Sequence, residues 1–145
     1  MNMESTGKTT TGRLAAGYRE LEIYKLTMKF QQSVFEATKL FPKEETYSLT
    51  DQIRRSSRSI GANIAESWAK RRYPAHFASK LTDSDGELQE TMHWIRTAFA
   101  CTYFTKEHAT ELAAQADMFG RMLNKMIANH HQFCLTPKPT NTPAN

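Results

Sequence analysis

Residues 47–68 read YSLTDQIRRSSRSIGANIAESW, and the spacing inside this stretch decides the fold. Leu49, Ile53, Ser57, Ile60, Ile64 and Trp68 recur at steps of three and four, which puts them on one face of an α-helix. Arg54, Arg55 and Arg58 fall within about 100° of one another on the same helix. Beside the apolar stripe runs a polar line, Gln52, Ser56, Ser59, Asn63 and Glu66. A buried amide rewards only the alignment that gives it partners, so this line predicts a hydrogen-bond network that fixes helix register. Gly61 costs roughly 1 kcal/mol relative to alanine inside a helix, which implies that a second helix comes close there. Thr46 or Ser48 is positioned to cap the start, with Asp51 three residues after Ser48 near the positive helix end.

Upstream, Ile23, Thr27, Phe30, Val34, Ala37 and Phe41 repeat the pattern and predict a helix from about Arg19 to Phe41. Leu21, Tyr24, Leu26, Met28, Phe35 and Leu40 widen its apolar face beyond what a single contact needs. Pro42 ends it, because the residue before a proline is pushed out of the α region. Downstream, the basic break Lys70-Arg71-Arg72-Tyr73 leads to Pro74, a residue suited to the first turn of a helix. The third stripe is Phe77, Leu81, Ser84, Leu88, Met92, Ile95, Phe99 and Thr102. Thr105 is a good N-cap for a fourth helix, whose face is Leu112, Ala116, Phe119, Leu123 and Met126. Four amphipathic helices, short connections and no strand candidate predict an all-α fold, an antiparallel up-down-up-down four-helix bundle over residues 18–133. Residues 1–17 and the proline-rich 134–145 lack periodicity and are expected to be disordered arms.

The chain has 145 residues, a net charge of +4 and a pI near 9.1. That balance permits an anionic partner without requiring one. No apolar run is long enough to span a membrane, and no secretory leader is expected. Cys101 and Cys134 make no disulfide framework, which fits a reduced, cytoplasmic setting. His130-His131 with Cys134, and His93 with Cys101, lack the spacing of a zinc site, so no metal is expected. Nothing marks a nucleophile, a phosphate loop or a cofactor box, so an enzyme is not expected.

Several local strings then combine into a recognisable series: Phe41-Pro42-Lys43-Glu44-Glu45, Leu49, Gln52-Ile53-Arg54-Arg55, Ser59-Ile60, Asn63-Ile64-Ala65-Glu66, Lys70-Arg71-Arg72 and Phe77. The series resembles the bacterial four-helix-bundle family that includes proteins encoded within intervening sequences of 23S ribosomal RNA. The accessory variability determinant of diversity-generating retroelements is a related member. Ser56-Ser57, Ser67-Trp68 and Asp83-Ser84-Asp85-Gly86 depart from the usual pattern. The resemblance implies a homo-oligomeric ring, a homopentamer in family members. For the retroelement branch it also implies binding of nucleic acid and of a reverse transcriptase through a basic surface.

The residues themselves offer two roles for that surface. Arg54, Arg55, Arg58, Lys70, Arg71 and Arg72 stand against a single acid, Glu66, within residues 54–72. Guanidinium forks match phosphate oxygens, and released counterions add affinity, so one reading is RNA or DNA binding without strong sequence readout. The other is an ion-pair seam with Asp83, Asp85, Glu87 and Glu90 of a neighbouring protomer, in a scaffold for a protein partner. Of the aromatics Trp68, Tyr73, Trp94 and Tyr103, Tyr73 alone sits inside the basic break and is the candidate for base stacking.

Overall fold

The apolar stripes become four helices: α1 (Glu22–Thr38), α2 (Asp51–Trp68), α3 (Pro74–Ala100) and α4 (Lys106–Ala128). The structure, a computed structural model, describes residues 15–135. Residues 1–14 and 136–145, which make up most of the two expected arms, lie outside the described residues. Among the described residues there is no strand. Each helix packs on two others, α1 on α2 and α4, α3 on α2 and α4.

Side-chain pairs give the directions. Arg55 meets Glu87 and Glu90, Ile60 meets Ser84, and Glu66 meets Lys80, so numbers rise along α2 as they fall along α3. Arg54 with Thr38 and Gly61 with Thr27 set the same opposition between α1 and α2. Leu88 with Gly120 and Phe77 with Phe133 set it on the α4 side. The result is an up-down-up-down bundle, closed where Phe30 of α1 meets Phe119 of α4 edge-on at 5.1 Å.

The core uses the expected stripe of α4 and most of those of α1 and α2, where Ala37, Phe41 and Trp68 are only partly buried. On α3 the stripe begins as expected at Phe77, Leu81, Ser84 and Leu88, then continues through Thr91, Ile95 and Ala98. Met92 and Phe99, expected inside, are displaced by one position, and Phe99 is 48% exposed. The alternation of four and three is unbroken only through Thr91. That polar residue is accommodated because its hydroxyl lies 2.8 Å from both Ser56 Oγ and the Glu87 carbonyl.

The register network is therefore smaller than expected and differently composed. Ser56–Thr91 and the bond from Ser84 Oγ to the Ile60 carbonyl, 2.8 Å, cross between α2 and α3. Asn63 and Ser59 bond only to carbonyls of their own helix. Glu66 is exposed and paired with Lys80, and the Gln52 side chain makes no hydrogen bond among the described residues. Gly61 does mark a close approach: a Cβ there would lie 3.1 Å from Thr27 Oγ1.

Helix ends differ from expectation in physical detail. The first helix stops at Thr38 rather than Phe41, after a separate 3-10 turn at Tyr18–Glu20. Neither Thr46 nor Ser48 caps α2; Thr46–Thr50 wind as a π turn that runs directly into it. Thr46 instead donates back to the Lys43 carbonyl at 2.7 Å. Pro74 opens α3, and Thr105 caps α4 by accepting the His108 N–H at 3.1 Å.

The far end of α3 closes with two reverse bonds, Tyr103 N–H to the Ala98 carbonyl and Thr102 N–H to that of Phe99. This Schellman arrangement puts Thr102 in the left-handed region, at φ 65°, where glycine is the usual occupant. A β-branched residue there carries strain of about 1 kcal/mol or more. Thr102→Gly is accordingly expected to stabilise the bundle by about 1 kcal/mol, read as a rise of a few degrees in thermal melting. A lowered melting temperature would contradict this account of the turn.

Candidate nucleic-acid interface

The antiparallel register of α1 and α2 builds a small cationic cluster around one ring. Phe35 of α1 has Arg54 and Arg58 of α2 over it, at 4.8 and 5.5 Å from the ring centroid, and Lys39 at 5.0 Å. Such contacts orient a cation without neutralising it. Arg54 is further fixed by a bond from its Nε to Thr38 Oγ1, 2.8 Å, and the Thr38 hydroxyl in turn donates to the Phe35 carbonyl. Lys39 pairs with Glu36 at 3.0 Å on the open surface, a weak interaction. Among the described residues, neither Arg54 nor Arg58 has a carboxylate within ion-pair distance.

Arg55, adjacent in sequence, points the other way. Its Nη2 lies 2.6 Å from Glu90 Oε2 and its Nη1 3.4 Å from Glu87 Oε2. The hydrogen bond from Arg55 holds the Glu90 carboxyl below the ordinary carboxylate range, while burial pushes that of Glu87 above it. These acids belong to the same chain as Arg55, so the seam expected with a neighbouring protomer is here an internal α2–α3 bridge. Asp83 instead approaches Lys80 at 3.7 Å, and Asp85 lines a groove on the α4 side.

The second basic string divides in the same manner. Arg71 lies with its guanidinium 3.9 Å from the Trp68 ring centroid, and its Nε donates to the Trp68 carbonyl at 3.0 Å. Its own carbonyl accepts the Leu135 N–H at 3.1 Å. Burial lowers its pKa from the ordinary guanidinium value. Arg71 thus ties the α2–α3 turn to the end of the chain beyond α4. Lys70 and Arg72 are exposed and unpaired among the described residues, because Glu66, the nearest acid in sequence, is drawn to Lys80 at 2.9 Å.

The six cations therefore resolve into two groups without an ion pair among the described residues, Arg54 with Arg58 and Lys70 with Arg72, and two residues engaged within the chain, the half-exposed Arg55 with Glu87 and Glu90 and Arg71 with Trp68. Arg58 stands roughly 15 Å before the end of α2 at Trp68, and Lys70 and Arg72 lie in the turn beyond it. Phe35, Thr38 and Lys39 complete the first group; the sequence offers Phe35 only as apolar width and does not mark Thr38 or Lys39. Among the aromatics, Trp94 bonds Glu90 through its indole N–H at 3.4 Å, and Tyr103 packs on Phe41 at 5.4 Å. Trp68 lies beneath Arg71; Tyr73 is 57% exposed.

On the opposite side, α3 and α4 leave a groove of about 230 Å³ lined by Leu88, Met92 and Gly120, with Asp85, Asp117 and Arg121 at its polar parts. Arg121 and Asp117 pair with each other. Among the described residues, no helix is long and apolar enough to cross a membrane.

Comparison with known proteins agrees with the helical architecture. The family model described as 23S rRNA-intervening sequence protein matches residues 19–125. A solved structure from Bacteroides thetaiotaomicron, a protein with unknown function from the S23 ribosomal protein family, aligns with a TM-score of 0.66 at 24% identity. The alignment covers 73% of this chain and 95% of that one, and at this identity the likeness concerns the fold alone. No curated protein matches.

Proposed function

Because the chain belongs to the 23S rRNA-intervening sequence protein family, we propose that it is a non-enzymatic, oligomeric module that binds RNA or DNA through its basic surface. The observation that carries this reading is the pair Arg54 and Arg58, held over Phe35 with no carboxylate partner among the described residues. A cation that the fold orients but does not neutralise is available to a phosphate, and a preset guanidinium loses less freedom on binding. Lys70 and Arg72 extend the surface into the α2–α3 turn. Arg55 and Arg71, whose groups are engaged within the chain, contribute to the framework that presents the others. With no element among the described residues shaped to enter a groove, the contacts position a backbone and do not read bases.

The test is the salt dependence of binding to a labelled oligonucleotide. Four phosphate contacts on a single strand predict a slope of about −3 in log K against log salt. Absence of binding at low salt would overturn the reading.

A second reading, an oligomeric scaffold for a protein partner, is favoured by the α3–α4 groove, with its apolar floor of Leu88 and Met92 beside acidic Asp85 and Asp117. Native mass measurement separates the two: a shift on adding the oligonucleotide favours the first, and an unchanged oligomer mass favours the second.

A further inference from the structure

We propose that the α2–α3 turn is a stacking platform for an unpaired nucleotide, with the base on the ring of Tyr73 and the adjoining phosphates on Lys70 and Arg72. The proposal rests on the nucleic-acid reading above and names the kind of strand that this end of the bundle takes.

Single exposed aromatics are ordinary on protein surfaces, so exposure alone says little. Three further features distinguish Tyr73. First, the turn is fixed before any ligand arrives. Lys70 N–H bonds to the Ser67 carbonyl at 2.8 Å, Tyr73 N–H to that of Lys70 at 2.9 Å, and Phe77 N–H to that of Tyr73 at 3.0 Å. Arg71 clamps the middle of the turn to Trp68 and Leu135. Tyr73 itself has φ −122° and ψ 95°, the extended geometry that a following proline enforces, so Pro74 holds the direction of its side chain.

Second, the ring is open. It is 57% exposed, and among the described residues its one ring neighbour is His76, tilted at 45° with centroids 5.6 Å apart, so no parallel ring among them covers it. Its hydroxyl makes no hydrogen bond among the described residues.

Third, the turn is rich in cations, and the acids that bound it, Glu66 and Asp83, form their ion pairs with Lys80. Residues 67–82 contain Lys70, Arg71, Arg72 and Lys80 and no Asp or Glu. Lys70 and Arg72 remain exposed while Arg71 is engaged in the clamp.

An aromatic face flanked by free cations suits a strand whose bases can be splayed out. In a duplex both faces of an internal base are covered by its neighbours, which leaves only phosphates to contact. The platform therefore predicts a preference for single strands that charge alone would not produce.

The test uses the full chain, a labelled RNA strand of roughly twelve nucleotides, within the range of single-strand sites, and the matching duplex. Fluorescence anisotropy is expected to show tighter binding to the strand. Tyr73→Ala should weaken that binding roughly tenfold while leaving the duplex unchanged, and Tyr73→Phe should retain it. Because Tyr73 is exposed, the melting temperature of both variants should match that of the parent. If Tyr73→Ala binds the strand as the parent does while Lys70→Ala with Arg72→Ala weakens both probes, the stacking proposal is overturned and the nucleic-acid reading stands. If no probe binds at low salt, both fall together.

Discussion

Phe30→Ala is expected to destabilise the bundle by about 4 kcal/mol. Phe30 is fully buried and meets Phe119 edge-on with centroids 5.1 Å apart and planes at 64°. That pair joins α1 to α4, which pack together without being consecutive in the chain. Removing the ring forfeits its burial, its edge-to-face contact and the packing around the cavity left behind. A loss of this size is a large share of the 5–15 kcal/mol that keeps an ordinary domain folded. Urea unfolding should show a lower midpoint with an unchanged slope. Phe35→Ala, five residues along the same helix, is the informative control. Phe35 is only half-buried and faces the cations, so its loss should cost about 1 kcal/mol or less while loosening Arg54 and Arg58. A cost below about 1 kcal/mol for Phe30→Ala would contradict the closure of the bundle through α1 and α4.

The contrast between these phenylalanines shows where reading the sequence succeeds and where it stops. Periodicity is local, so it found Phe30 as core, and the helix–helix approach at Gly61 followed from a local propensity penalty. Periodicity also slipped on α3, because Met92 and Phe99 are apolar and Thr91 is not. Thr91 is accommodated inside by the Glu87 carbonyl of its own helix and by the Ser56 hydroxyl, and the second of these lies on another helix. The π turn before α2 was illegible for a related reason. Thr46 and Ser48 carry capping chemistry, yet the Thr46 hydroxyl is already engaged with the Lys43 carbonyl as the chain leaves Pro42.

The basic surface shows the same limit more sharply. Sequence places Arg54, Arg55 and Arg58 on one arc of α2 but cannot say which edge of that arc faces α1 and which faces α3. The antiparallel registers decide it. Arg54 and Arg58 fall beside Phe35, where no acid among the described residues is close enough to pair, whereas Arg55 falls beside Glu87 and Glu90. Charge counting treated six cations as equivalent; packing makes two of them structural.

That division gives the prediction with the largest effect on binding. Arg54→Ala combined with Arg58→Ala is expected to weaken oligonucleotide binding by about a hundredfold at low salt, from roughly 1.5 kcal/mol for each charge-assisted phosphate contact. The slope of log K against log salt should become shallower by about 1.4, two contacts at about 0.7 each on a single strand. Arg55→Ala removes the same formal charge one residue away and should leave affinity within about twofold. Its effect belongs to stability instead. Glu87 and Glu90 would be left side by side without their shared cation, at a cost of about 1 kcal/mol or less because the bridge is half exposed. Long-range attraction alone would make the three arginines interchangeable, since net charge falls by the same amount for each. Equal losses from Arg55→Ala and from Arg58→Ala would therefore refute a surface organised by α1–α2 and α2–α3 packing, and would leave a diffuse electrostatic one in its place.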